Sequence, residues 1–179
     1  PGMEIRIVDH RRRELPPGQV GELACRSESV MLGYYDSTDR TAEVMDEQGW
    51  YYTGDLATMD DRGYLRFVGR KDDMIVRGGQ NIHPAEIEEH LLLHPHIEDA
   101  AVVGVPGGIG GESIWAFVVL EDGVDMSHRQ VLEHCRADME AYKIPDRVEF
   151  VADLPRSAQG KPLKHELREA ALQRMKETR

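Results

Sequence analysis

Three short stretches carry residue types able to act at hydroxyl, phosphoryl or acyl oxygens. In "YYTGD", Asp55 follows a glycine at an expected strand end. An ionised aspartate only accepts hydrogen bonds, so it can take two of them from a vicinal diol such as a ribose presents; a turn aspartate is the competing reading. In "GRKDDMIVRGGQNIHPAEIE", Arg70 offers a planar guanidinium fork to ribose or phosphate oxygens, or else a surface ion pair with Asp72 or Asp73. Gly78 and Gly79 remove two side chains ahead of an expected helix, which permits unusual dihedrals and lets a narrow ligand approach the main chain; a plain turn uses the same pair. In "LPRSAQGKPLKHEL", Lys161 follows Gly160 in a polar loop. A compact ammonium suits an oxygen that gains negative charge in acyl or phosphoryl transfer, whereas a lone exposed lysine is ordinarily a solvated charge.

The elements that must position these groups change in texture near Arg70. Before it, alternation from Met3 to Val8 and from Val20 to Arg26 predicts a hairpin turned by Pro16, Pro17 and Gly18. Ser37 is placed to cap a short helix through Val44, Gly49 breaks the pattern, and "WYYTGDLATM" and "YLRFVG" read as strands around the "DDRG" turn. After Arg70, strands and helices alternate. "HPAEIEEHLLLHP" reads as a helix with Pro84 at its first position, Glu86 and Glu88 in its N-terminal turn, and Ile87 and Leu91 on one face. "DAAVVGVP" and "IWAFVVL" read as paired core strands across "GGIGGES", a mobile connection without dinucleotide-fingerprint spacing. Ser127 with Gln130 predicts a capping box for a helix with Val131, Cys135 and Met139 on one side; "RVEFV" is a further strand, and Leu163, Leu167 and Ala171 mark a last helix. The fold class expected is α+β, with a β-rich part over 1–70 and a small sheet flanked by helices over 71–179.

Composition narrows the function classes. A chain of 179 residues with 40% hydrophobic content can supply a core, and a net charge of -11 argues against a nucleic-acid or anionic-membrane partner. The basic run Arg11 to Arg13 reads as a solvated loop. Two cysteines, Cys25 and Cys135, stand too far apart for a zinc ribbon and read as ordinary reduced thiols. His90 and His94 lie at i, i+4 with His96 beyond, a spacing that can bind zinc, but no H-E-x-x-H is present and a polar helix end accounts for them, so no metal site is expected here. No apolar run approaches twenty residues, so no membrane span is expected, and a cytoplasmic location is the expectation. The abrupt start without an initiating methionine suggests that a longer protein continues upstream.

In order and spacing, "GELACRSESVMLGYY", "GWYYTGD", "GYLRFVGRKDDMIVRGGQNIHPAEIEEHL", "AAVVGVP" and "YKIPDRVEFVADLPRSAQGKPLKHEL" resemble the C-terminal part of the adenylate-forming superfamily, which holds acyl-CoA synthetases, adenylation domains and firefly luciferase. The resemblance is strongest to acyl-CoA synthetases for fatty, alicyclic or aromatic acids. It implies that residues 1–70 end a large nucleotide-binding domain, that 71–179 are a mobile lid, and that 70–72 hold the hinge at Asp72. It implies that Asp55 holds the ribose of ATP with help from Arg70, that Gly78, Gly79 and Gln80 line the pantetheine channel of CoA, and that Lys161 reaches the reacting carboxylate and α-phosphate oxygens.

The implied reaction joins a carboxylic acid to ATP as an acyl-adenylate and then passes the acyl group to CoA, the lid swinging about Asp72 between the two steps. Magnesium would accompany ATP, with ligands outside these residues, as would the phosphate loop and the acid pocket; the chain alone is therefore expected to be inactive. Two other readings stay open: an adenylation enzyme that loads a carrier protein, and a separate lid that binds or regulates without catalysis. Any homo-oligomer would form through the remaining domain.

Overall fold

A computed structural model describes residues 2–108 and 110–177, and contacts divide the chain into two compact units, Pro1–Asp72 and Asp73–Arg179. The sequence expectation drew the line after residue 70. Ile109, in the glycine-rich connection, lies outside the described residues.

The first unit is an antiparallel sheet of β1 (Glu4–Val8), β2 (Gly21–Arg26), β3 (Tyr51–Met59) and β4 (Leu65–Arg70) in that order, with the short helix α1 (Thr38–Val44) between β2 and β3. The link from β1 to β2 needs two turns where the sequence suggested one. Asp9 Oδ1 first accepts from the backbone N–H of Arg11 and Arg13 at 2.8 and 2.9 Å, with Arg12 at φ 62°, and Pro16-Pro17-Gly18 turns only after that. The "RRR" run is thereby built into structure: Arg13 pairs with Asp9, and Arg12 lies over the Tyr52 ring and donates to the Glu43 carbonyl. Ser37 precedes α1 but makes no side-chain cap; Thr41 Oγ1 instead donates to the Ser37 carbonyl and accepts from Tyr34 N–H, both at 2.9 Å. Val8, Ala24, Trp50 and Tyr52 form a small core. Asp46 supports it by accepting from Tyr52 O–H and from the backbone of Gln48 and Trp50.

The second unit holds a five-stranded sheet of β5 (Ile75–Arg77), β6 (Gln80–Ile82), β7 (Ile97–Gly108), β8 (Gly111–Leu120) and β9 (Arg147–Phe150), with α2 (Pro84–Leu91), α3 (His128–Asp138) and α4 (Lys164–Glu177). The strand order is β6-β5-β8-β7, and β9 pairs with β8 in parallel. β8 explains the apolar run "IWAFVVL": Ile114, Ala116 and Val118 enter one core while Trp115, Phe117 and Val119 enter another, so alternate side chains are buried on both faces. Ile87 and Leu91 of α2 and Val131 and Cys135 of α3 close the first core; Leu167 and Ala171 of α4 close the second. Each large side chain so buried contributes about 1.5–3 kcal/mol relative to exposure.

Local signals set the helix ends. Pro84 opens α2, which stops at Leu91 well before Pro95, and Ser127 with Gln130 completes the capping box of α3. Glu88, expected to serve the α2 dipole, instead reaches across the unit, accepting from Val102 N–H at 2.7 Å and from Lys164 Nζ at 2.8 Å. Met139 is the residue after α3, and Leu163 lies just before α4.

Candidate functional site

Asp55 is projected by an irregularity inside β3, where the sequence placed it at a strand end. Glu22 pairs with Leu56 and Ala24 with Tyr52, so the single Leu23 of β2 faces Thr53, Gly54 and Asp55. Such a bulge re-aims a side chain out of the pleat. Gly54 at φ 72° makes the bend, and three hydrogen bonds secure it: Gly54 N–H to Glu22 Oε1 at 3.1 Å, Thr53 Oγ1 to the Leu23 carbonyl at 2.9 Å, and Asp55 N–H to Thr53 Oγ1 at 3.1 Å.

Arg70 lies directly across the ladder from Asp55. Its Nη1 donates to Asp55 Oδ1 at 2.6 Å and to the Thr53 carbonyl at 3.2 Å, so the guanidinium is paired with the carboxylate across the ladder. The Asp55 side chain stays 32% exposed, and a carboxylate that has accepted one hydrogen bond retains lone pairs for a diol. Beside the pair lies a cavity of about 550 Å³ bordered by Gly54, Arg70, Tyr34, Arg40, Tyr51 and Lys71, a size common for small-molecule sites. Lys71 is held there by Glu22 at 2.8 Å, which ties the cavity wall to the bulge. Asp72 is exposed in a single helical turn over Lys71–Asp73.

In the second unit, Gly78 and Gly79 do not lead directly into a helix. They form the two-residue turn of the β5–β6 hairpin, with Arg77 paired to Gln80 and with φ of 58° and 77°. Two successive positive φ values match the twist of a hairpin, which accounts for both glycines through conformation. An added Cβ at either would meet nothing within 4 Å, so both present open backbone, and Gly78 N–H donates to the Gly110 carbonyl at 2.8 Å. Gln80 is exposed at the head of β6.

The loop of Lys161 is closed rather than slack. Ser157 N–H donates to the Lys161 carbonyl and Gly160 N–H to the Ser157 carbonyl, both at 2.9 Å, and Arg156 bridges to Pro162 in antiparallel fashion. Leu154 on one side is buried in the core under α4, and Leu163 N–H on the other donates to the Pro155 carbonyl at 2.7 Å. The lysine thus stands exposed on a small hairpin, its ammonium making no hydrogen bond or ion pair among the described residues. Of the residues singled out from sequence, the fold joins Asp55 to Arg70 in one unit and Gly78, Gly79 and Gln80 in one turn of the other.

Sequence reasoning missed Thr53, Glu22 and Arg156 as supports, since each acts through a pairing that only register reveals. The three histidines of the declined zinc pattern pack as rings: His90 stacks on His134 of α3 at 4.6 Å between centroids, and His94 meets His134 edge-on at 5.0 Å. His90 Nε2 faces the His134 carbonyl and His134 Nε2 the His90 carbonyl, at 3.2 and 2.9 Å.

Nearly the whole chain is similar to known proteins. A long-chain-fatty-acid–CoA ligase of Escherichia coli is 44% identical over 96% of this chain, which corresponds to 30% of that ligase. A Rhodococcus jostii CoA ligase for a methyl-dioxo-octahydroindenyl propanoate is 41% identical over 94% of the chain and 31% of its own length. The ATP-bound crystal structure of MatB from Rhodopseudomonas palustris superposes with a TM-score of 0.91 at 36% identity, covering 95% of this chain and 34% of that one. The chain therefore spans about a third of the length of these relatives. Residues 86–161 match the AMP-binding enzyme C-terminal domain. That match runs from within α2 past β9 and ends on Lys161, and together with the relatives it shows that this chain carries the AMP-binding C-terminal domain of an adenylate-forming enzyme.

Proposed function

We propose that the protein containing this chain is an acid–thiol ligase that uses ATP and CoA. In the first step a carboxylate oxygen attacks the α-phosphorus of ATP, the bond to pyrophosphate breaks, and an acyl-adenylate forms. In the second, the CoA sulfur attacks the acyl carbon and AMP leaves. The observation that carries this reading is a bulge-mounted, Arg-paired carboxylate combined with a lysine fixed on a closed hairpin. Asp55 accepts the ribose hydroxyls, and Arg70 orients that carboxylate from across the strand ladder. Lys161, with no partner of its own among the described residues, supplies positive charge to the oxygens that gain negative charge in the first step. The open backbone of Gly78 and Gly79, with Gln80, lines the path of the pantetheine arm during the second step. Asp72 is the hinge about which the lid exchanges the two tasks.

The acid is carbon-rich: relatives above 40% identity include ligases named for long-chain and medium-chain fatty acids and for a bicyclic propanoate, and CoA is the thiol in those names. A cytoplasmic site of action is part of the same proposal. The test uses the full-length protein and measures CoA-dependent AMP release with hexadecanoate, octanoate, cyclohexanecarboxylate and benzoate. At least one acid should turn over. Lys161→Ala should slow adenylation by about 10²–10³ and leave thioester formation from supplied acyl-adenylate near the wild-type rate. Full adenylation speed in that variant would overturn the role of Lys161. Release of AMP with a carrier-protein thiol, and none with CoA, would overturn CoA as acceptor. The 179 residues alone, about a third of their relatives' length, should give no ATP–pyrophosphate exchange.

A further inference from the structure

We propose that Arg156, anchored by Asp99, is a positioning residue that sets the height and direction of Lys161. This rests on the reading of Lys161 given above. The Arg156 fork joins the lysine hairpin to the sheet: Nη1 donates to the Gly160 carbonyl at 2.5 Å, and Nη2 donates to Asp99 Oδ2. Gly160 is the residue immediately before Lys161 and has φ 80°, so the carbonyl that Arg156 holds belongs to the peptide leading into the lysine. Rotation of that peptide would swing the Lys161 Cα–Cβ bond directly.

Asp99 is equipped to serve as the anchor. It lies opposite Val119 where β7 returns to continuous register after the irregularity that follows Ile97, and its Oδ1 accepts from Ala100 N–H at 2.9 Å. Its neighbours Ile97, Ala100 and Ala101 are all buried, so the carboxylate is fixed to the most solid part of the unit. The side chains of Asp99 and Arg156 are 23% and 40% exposed, which leaves their attraction only partly screened by solvent. The hairpin's other hydrogen bonds are local to it: the backbone bonds between Ser157 and Lys161 and between Gly160 and Ser157 at 2.9 Å, and Ser157 Oγ accepting from Gln159 and Lys161 N–H at 3.3 Å each. Removal of the guanidinium leaves the turn hydrogen bonds in place but releases the hairpin from β7.

A lysine that must meet a developing charge loses rate steeply when displaced. A shift of about 1 Å costs up to about 10²-fold. Because one planar fork spans two acceptors, a lysine at 156 keeps the charge but cannot bridge both. The experiment uses the full-length enzyme with the fastest acid of the panel above, and compares R156A, R156K, D99N and K161A. Expected are a fall in adenylation kcat of about 10- to 100-fold in R156A and R156K with KM for ATP unchanged, a smaller fall in D99N, and thioester formation from supplied acyl-adenylate within about twofold of wild type. Guanidinium ion should restore part of the R156A rate, and the R156A/K161A double variant should be no slower than K161A alone. Wild-type adenylation in R156A while K161A is impaired would overturn the proposal, as would equal loss in both half-reactions together with a lowered melting temperature. Full adenylation in K161A would instead overturn the underlying role of Lys161, a separate outcome.

Discussion

Asp55 does not reach its position through its own preferences but through the glycine before it. Gly54 has φ 72°, a conformation that costs an L-residue roughly 1–2 kcal/mol, and an added Cβ would come within 3.3 Å of Arg70 Nη2. Gly54→Ala therefore presses on the partner of Asp55 while straining the bend that aims it. In the full-length enzyme the expected result is a several-fold rise in KM for ATP with a smaller change in kcat, because ribose binding is weakened in ground and transition states alike. An unchanged KM for ATP, with the variant folded, would mean that the bulge does not present Asp55 to the nucleotide. By contrast Gly78 and Gly79 need their conformation for a hairpin turn, with open space around them. Glycine in this chain thus answers two different demands, a bend packed against the Asp55–Arg70 pair and an open hairpin turn.

At the scale of elements, the contact between α2 and α3 is unusual in resting on histidines. His94 is held below its ordinary value, chiefly by burial and further by His134 and His96. A ring that binds its proton more weakly folded than unfolded lets the unfolded chain take up more protons as pH falls. The stability is then complete above the ordinary histidine range and is lost as pH drops through it. Urea midpoints measured from about pH 7.5 down to about pH 5.5 should decline, and His94→Gln should flatten that decline. A slope identical in the variant would assign the effect to other groups.

The same contact illustrates what the sequence could and could not reveal. The α2 helix was legible from Pro84, Glu86 and the Ile87/Leu91 spacing, and the α3 capping box from Ser127 and Gln130, because those signals are local. The pairing of β7 with β8 followed from their composition. The bulge at Thr53–Asp55, the reach of Glu88 to Val102 and Lys164, and the Arg156–Asp99 bridge were not legible, since each joins residues far apart in the chain through register. Asp55, Arg70 and Lys161 stand out in the sequence because the family resemblance marks them; the residues that hold them in the structure carry no such mark. Ser37 misled for a physical reason: Thr41 bonds back to the Ser37 carbonyl and takes up Tyr34 N–H, so α1 is secured from inside its first turn.

For the molecule as a whole, the apolar core is divided unequally. The first unit's core cluster is Val8, Ala24, Trp50 and Tyr52, while Tyr64, Leu65 and Phe67 around β4 remain exposed. The second unit has a core on each face of its sheet, and every residue of both cores lies between Ile75 and Met175. Its polar ties are equally internal: Asp146 accepts from Arg77, Ser113 and Ile114 N–H, and Glu88 joins α2, β7 and α4. A unit whose buried surface and hydrogen bonds close on themselves satisfies the conditions for autonomous folding. Residues 73–179 expressed alone should therefore unfold in one cooperative transition with coincident fluorescence and circular-dichroism midpoints, Trp115 serving as the buried probe. Residues 1–72 alone, with so small a core, should show no such transition. A molten 73–179, or non-coincident midpoints, would show that the core of the second unit needs the first in order to close. Cooperative unfolding of the isolated piece would supply what a hinged lid requires: a body rigid enough to carry Lys161 on its hairpin as one unit.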